Sequence, residues 1–212
     1  MKNNLCVFIL LIFSVVASAQ DLQPIKLLPA QTDKGKSLMK ALEERRTTRE
    51  YSDRAMSLQD ISNLLWAADG INRVAEMKHT APTAVNWQEI DIYVVLGKGI
   101  YLYNPHDSTL IPVAKGDLRY LAGTPEYVKT APLNLVLVAD YGRMKNAEET
   151  KKEAYASADA AFISENIYLF CAAFDMGCVV RATVDRGPLS AALKLRSDEG
   201  IMFAQTIGYL RK

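Results

Sequence analysis

Cysteine, histidine and tryptophan are scarce in this chain: three, two and two among 212 residues. That scarcity removes whole classes of chemistry. His79 and His106 have no cysteine or carboxylate at ligand spacing, so no metal centre is expected. There is no G-x-S-x-G, Walker or G-x-G-x-x-G pattern, hence no nucleophile elbow, P-loop or Rossmann fingerprint. Net charge is nearly absent too, with 25 Lys and Arg against 24 Asp and Glu. Such a balance gives no nucleic-acid footprint, which needs a basic excess or a concentrated basic face. Internal repeats and low-complexity segments are also missing.

The apolar run Leu5 to Val16 is too short to span a bilayer comfortably. It follows a short basic start, Met1-Lys2-Asn3-Asn4, and precedes the small residues Ala17-Ser18-Ala19. This pattern predicts a signal peptide over residues 1–19, with Gln20 as the new N-terminus and a periplasmic destination. An uncleaved anchor is the competing reading. No cysteine follows the small residues to carry a lipid, so no stable membrane anchor is expected after cleavage. Removing Lys2 with the leader leaves 24 basic and 24 acidic side chains.

Cys6 leaves with that leader, so Cys171 and Cys178 remain. On one helix, seven residues at about 1.5 Å each would separate them by about 10 Å. A disulfide needs Cα atoms within about 7 Å, so both are expected as buried, unbridged thiols. The fold must then stand on its core, and a mature chain of about 190 residues is long enough for one.

Residues 20–36 contain Pro24 and Pro29 and no period, which reads as an extended arm before a domain at 37–212. Leu38, Met39, Ala41 and Leu42 mark a helical face ending at Glu44. Ser57 is an N-cap for a second helix that Gly70 stops. Asn72 to Trp87 reads as loop. Strands are expected over Glu89–Leu96, and over Gly99–Tyr103 and Thr109–Val113 as a hairpin around Asn104-Pro105-His106-Asp107. The unbroken apolar run Leu133 to Ala139 marks a strand covered on both faces.

Glu148 to Met176, closed by Gly177, is the longest helical pattern and is rich in alanine, as suits a central or subunit-interface helix. Strands at Cys178–Thr183 and Ile201–Leu210 flank a short helix over Pro188–Leu195. Without strict βαβ alternation the class is α+β.

Two segments carry the candidate chemistry. Arg45-Arg46-Thr47-Thr48-Arg49 packs three guanidinium groups and two hydroxyls into five positions. That is either a solvated helix end or a clamp for an anion, since Arg grips phosphate bidentately. Thr80 to Gln88 combines hydroxyls, two small alanines and two amides directly before a strand. It is either a polar Pro-containing turn or the edge of a site for a planar heterocycle, which amides suit as both donors and acceptors. His79, beside that segment, is a bystander or a proton donor.

In that order, Arg45-Arg46-Thr47-Thr48-Arg49-Glu50-Tyr51 resembles the R-R-S/T-x-R-x-F/Y opening of the FMN-dependent nitroreductase superfamily. Pro82-Thr83-Ala84-Val85-Asn86-Trp87-Gln88 resembles its P-S-x-x-N-x-Q loop, and the likeness extends over about Ser37 to Tyr209. Gly70-Ile71-Asn72-Arg73 and Tyr101-Leu102-Tyr103-Asn104-Pro105 are most similar to the branch with azoline-oxidising dehydrogenases. Here Glu89 follows Gln88, and the aromatic has moved to position 87, between the two amides.

The resemblance implies a mostly antiparallel sheet flanked by helices, with a long helix at the dimer interface. It implies a homodimer binding FMN between subunits, a small-molecule substrate, and NAD(P)H or another electron donor. Arg45, Arg46, Thr47 and Arg49 would bind the phosphate, the ribityl chain or the pyrimidine edge. Pro82, Thr83, Ala84 and Asn86 would line the isoalloxazine. Arg181 and Ala182 would lie near the flavin nitrogens, and Arg211 would complete the phosphate site.

No side chain is assigned a catalytic role, because flavin chemistry belongs to the cofactor. The acceptor would be a nitroaromatic or quinone, or the flavin would oxidise a substrate. The competing readings are a non-catalytic flavin-binding protein and a structural exported domain that has lost FMN. Export also poses a question of supply, since NAD(P)H is expected inside the cell.

Overall fold

The computed structural model describes residues 21–211; the leader expected over residues 1–19 lies outside the described residues. Strands β1 (Ile25–Lys26), β4 (Ile90–Leu96), β5 (Gly99–Asn104), β6 (Thr109–Lys115), β7 (Leu133–Asp140), β8 (Met176–Arg181) and β9 (Glu199–Tyr209) form one sheet. Its order is β1-β6-β5-β4-β7-β9-β8, and every pairing is antiparallel. A separate two-stranded ribbon joins β2 (Ile71–Arg73) to β3 (Lys78–His79). The helices are α1 (Leu38–Glu44), α2 (Leu58–Asp69), α3 (Glu126–Thr130), α4 (Glu149–Ala173) and α5 (Arg186–Leu193).

β7 explains the layering. All eight of its residues are buried, and successive side chains on a strand point to opposite faces. Leu133, Leu135 and Leu137 enter a core with Leu64 and Leu65 of α2 and Ile163 and Ile167 of α4. Val136 and Val138 enter a second core with Val128 of α3 and Leu189 and Leu193 of α5. The apolar run therefore reads as it should for a strand between two helical layers. Among the described residues no helix is long and apolar enough to cross a membrane.

The arm after residue 20 is extended, as its prolines require. β1 pairs with the outer edge of β6. Amides of Leu28 and Gln31 donate to Ser62 Oγ and Asn63 Oδ1 of α2, each at 2.9 Å. These bonds satisfy an extended segment that has no ladder of its own there.

Several boundaries differ from the sequence reading. The long helix ends at Ala173, not Met176, because Asp175 adopts a left-handed conformation (φ 54°) and turns the chain back. Gly177 therefore lies inside β8 rather than stopping a helix, and β8 starts two residues earlier than expected. The same reversal places Cys178 on β8 instead of on the helix that carries Cys171, and both cysteines are buried, free thiols. The ribbon β2–β3 falls in what reads as loop, since its strands are short and lack apolar alternation. On α1 only Ala41 is buried, while Leu38, Met39 and Leu42 are exposed.

After α1 the chain is pinned along β8 and the end of β9. Thr48 N–H donates to Cys178 O and Ser52 N–H donates to Tyr209 O, both at 2.9 Å. This close approach needs glycine beneath it. A Cβ at Gly177 would sit 3.0 Å from Thr48 Cβ and from Leu210, and one at Gly208 would sit 3.0 Å from Tyr51 Cβ. Gly177→Val is expected to lower the unfolding free energy in urea by about 1–3 kcal/mol, the cost of overpacking a filled site. Unchanged stability would show that the 45–52 segment is not seated on β8.

Candidate functional site

Arg45 to Arg49 begins where α1 ends and follows the edge just described. Arg45 is half-buried, its guanidinium 5.4 Å from the centre of the Tyr168 ring on α4, close enough for a cation–π contact. Arg46, Thr47 and Arg49 are exposed. Thr47 Oγ1 shares a hydrogen bond of 3.1 Å with the Tyr168 hydroxyl, which also accepts Val180 N–H at 3.1 Å. One phenol thus ties the Arg segment, helix α4 and strand β8 together.

The charges here are unevenly matched. Lys36 pairs with Glu44 and Asp175, and Lys40 pairs with Glu43 and Glu44. The lysines hold the Glu44 carboxyl below its usual range, Lys36 first and then Lys40. The guanidinium groups of Arg45, Arg46 and Arg49 have no ion-pair partner among the described residues. Arg45 and Arg46 line a hollow of about 490 Å³ with Thr48, Tyr168 and Met176. Arg49 and Arg211 meet in a second hollow of about 270 Å³, with Tyr51 and Tyr127.

Arg181 lies elsewhere. Its side chain is buried, donating to Ala122 O and Thr206 Oγ1, both at 2.7 Å. Its side chain is committed to the core, while Ala182 beside it is exposed.

The 82–88 loop is held by four hydrogen bonds, three to other segments and one within the loop. Ala84 N–H donates to Asp159 Oδ2 at 2.8 Å, and Gln88 N–H to Thr83 Oγ1 at 3.1 Å. Trp87 Nε1 donates to Lys145 O and Gln88 Nε2 to Met77 O. Between the anchors, Val85, Asn86 and Gln88 take positive φ of 50°, 60° and 52°. A β-branched residue in that region is strained, and Val85 is also 83% exposed. Pro82 and Asn86 are exposed beside it.

Buried acids surround the loop. Glu89 and Asp159 are almost wholly shielded, and neither Glu89 oxygen has a hydrogen-bond partner. His79 Nδ1 lies 3.0 Å from Asp69 Oδ2, both buried; burial, partly offset by His79, pushes the Asp69 carboxyl up to about 6. Asp91, Asp140 and Glu199 gather within 4.8 Å, but Arg143 and Arg196 pair with all three. That cluster is a compensated ion-pair network at the end of β7, where Asp140-Tyr141-Gly142-Arg143 forms the expected turn.

Tyr168, Asp159 and Glu89 escape a reading of the sequence. A faint signal exists for Asp159: it falls among Ala156, Ala160 and Ile163, all buried on the packing face of α4. The Arg segment and the loop are not adjacent in one chain. Their attachment points, Tyr168 and Asp159, are nine residues apart on α4, roughly 13 Å at the helical rise, and the Arg segment and the loop border different hollows.

This geometry agrees with that of known proteins. Residues 42–209 match the nitroreductase family. A crystal structure of a protein named as a nitroreductase from Ralstonia eutropha is 37% identical, with a TM-score of 0.84 over 89% of this chain and 90% of that one. A protein of Methanocaldococcus jannaschii named as a nitroreductase is 26% identical over 146 residues, 64% of this chain and 73% of its own length. A Desulfovibrio desulfuricans protein named as a nitroreductase, solved in complex with FMN, shares the fold at 20% identity and a TM-score of 0.61, over 84% of this chain and 88% of that one. The chain belongs to the nitroreductase family of flavoproteins and is an oxidoreductase.

Proposed function

We propose that this oxidoreductase is an exported homodimer that binds FMN and passes reducing equivalents from a donor to a small organic acceptor. The observation that carries the reading is the set of three guanidinium groups left unpaired while neighbouring lysines take the nearby carboxylates. An uncompensated cluster of this kind, fixed to a rigid sheet edge, is suited to a phosphate.

Each residue then has a physical task. Arg45, steadied by the Tyr168 ring, and Arg46 grip the phosphate through charge-assisted hydrogen bonds. Arg49 and Arg211 add charge from the adjoining hollow, and Thr47 offers a hydroxyl. Thr83, Ala84 and Asn86, with Pro82, present small surface and an amide to a flat ring, and the backbone at Arg181 and Ala182 closes another side. The redox chemistry itself is what bound FMN supplies.

The separation of clamp and loop along α4 supports a site shared between two copies, the clamp of one chain facing the loop of its partner. Exposed Leu38, Met39 and Leu42 of α1 and Tyr155 and Phe162 of α4 offer apolar surface for that contact. The acceptor is a nitroaromatic or a quinone. NAD(P)H serves as donor where it is available, and outside the cytoplasm a redox partner replaces it. The hairpin motif Tyr101 to Pro105 keeps open the reverse direction, oxidation of a substrate, as in the azoline-oxidising branch.

Three measurements check this reading. Purified protein is expected to carry about one FMN per chain and to sediment as a dimer; a flavin-loaded monomer would remove the shared site. Arg45→Ala is expected to weaken FMN binding by about 1–3 kcal/mol, the range for hydrogen bonds to charged groups, measured by quenching of flavin fluorescence. Unchanged affinity would sink the clamp. Mass spectrometry of protein from the periplasmic fraction is expected to find Gln20 at the N-terminus, and an intact leader there would contradict export.

A further inference from the structure

Two carboxyl groups lie in contact beneath the 82–88 loop. Glu89 is 0% exposed and Asp159 3% exposed. Asp159 Oδ2 accepts Ala84 N–H at 2.8 Å, and the Asp159 side chain is within hydrogen-bonding reach of Glu89. Both Glu89 oxygens are otherwise unpartnered. The Glu89 backbone is fixed, its carbonyl accepting Asp140 N–H at 2.8 Å where β4 joins β7, and the side chain is enclosed. Ionised carboxylates only accept hydrogen bonds, and two of them in contact out of water cannot both stay charged. A single proton resolves the conflict. Protonated Glu89 donates to Asp159, and Asp159 keeps its other interaction with Ala84.

We propose that Glu89 and Asp159 share one proton and together position the 82–88 loop, Asp159 holding the Ala84 amide and the proton on Glu89 holding Asp159. The charged groups acting on Glu89 are Asp159 from α4 and Arg143 from the turn after β7. Arg143 opposes protonation, but its guanidinium is already bonded to Asp91, Asp140 and Gln88 O. Burial first, and then Asp159, pushes the Glu89 carboxyl up to about 7. A carboxyl raised on folding contributes stability that is fully present below its unfolded value. That contribution is lost as pH rises through the folded value. The loop is therefore held at mildly acid pH and released above neutrality. Left-handed Val85, Asn86 and Gln88 make it a segment that relaxes once unpinned.

The loop's own tryptophan reports on this without any flavin. The chain has two tryptophans, so Trp66→Phe leaves Trp87 as the sole emitter. Its emission is expected to change sigmoidally between about pH 5 and pH 9 with a midpoint near 7. Glu89→Gln, whose amide donates to Asp159 at any pH, is expected to keep the low-pH emission throughout. Asp159→Asn still accepts from Ala84 but donates to Glu89, and is expected to move the midpoint down. A flat trace in the parent protein, or a midpoint near 7 that survives in Glu89→Gln, overturns the proposal. So does an unmoved midpoint in Asp159→Asn, which decides the matter if Glu89→Gln does not fold. Asp69, which burial pushes up to about 6, is present in both the parent and Glu89→Gln, so their difference isolates Glu89.

The consequence for cofactor rests on the flavin reading above. FMN affinity is expected to fall about tenfold across the same transition, the equivalent of one pKa unit, and to stay level in Glu89→Gln. Absence of FMN binding at every pH would defeat the flavin reading alone, while the fluorescence still decides the carboxyl pair.

Discussion

Tyr168 and Asp159 are polar side chains on the buried face of helix α4, set among Ala156, Ala160, Ile163 and Ile167. Each fastens one candidate binding segment to the core. Tyr168 holds Thr47 and the Val180 amide, and Asp159 holds the Ala84 amide. Because α4 packs against the doubly covered strand β7 through those small residues, both segments inherit the rigidity of the sheet. A site assembled on helix and strand supports is held more precisely than one resting on loops alone.

That arrangement tolerates features a purely structural domain would shed. Three guanidinium groups stay unpaired on one edge, and an exposed valine sits in a strained backbone conformation. An unpaired arginine at the surface costs little by itself, since exposed ion pairs contribute only about 0–1 kcal/mol. The strained loop costs more, and three hydrogen bonds to surrounding elements, with a fourth inside the loop, keep it in place. Charge is matched around Asp140 and Arg143 and left open along the Arg45 to Arg49 edge.

The layers were legible in the sequence because they follow periodicity: the run Leu133 to Ala139, the alternation of Ile90, Ile92 and Val94, and the N-cap at Ser57 all correspond to elements. Turns made by residues other than glycine were not. Asp175, Met77, Val85 and Gln88 adopt positive φ without the glycine that would announce it, so the end of α4 and the β2–β3 ribbon went unmarked. The Arg segment and the 82–88 loop stood out by composition, yet nothing in the sequence said that Arg181 turns into the core. The supports were hidden for a related reason. Asp159, Glu89 and Tyr168 matter through contacts with residues distant along the chain, which local pattern does not encode.

The central claim is that the Arg45 to Arg49 edge exists to hold a phosphate. The most direct measurement compares the affinity of the flavin-free protein for FMN and for riboflavin, which share the ring and differ in the phosphate. With two or more charge-assisted bonds of about 1.5 kcal/mol each, FMN is expected to bind about 100-fold or more tightly, with the gap narrowing in high salt. Equal affinity for the two flavins would contradict the account.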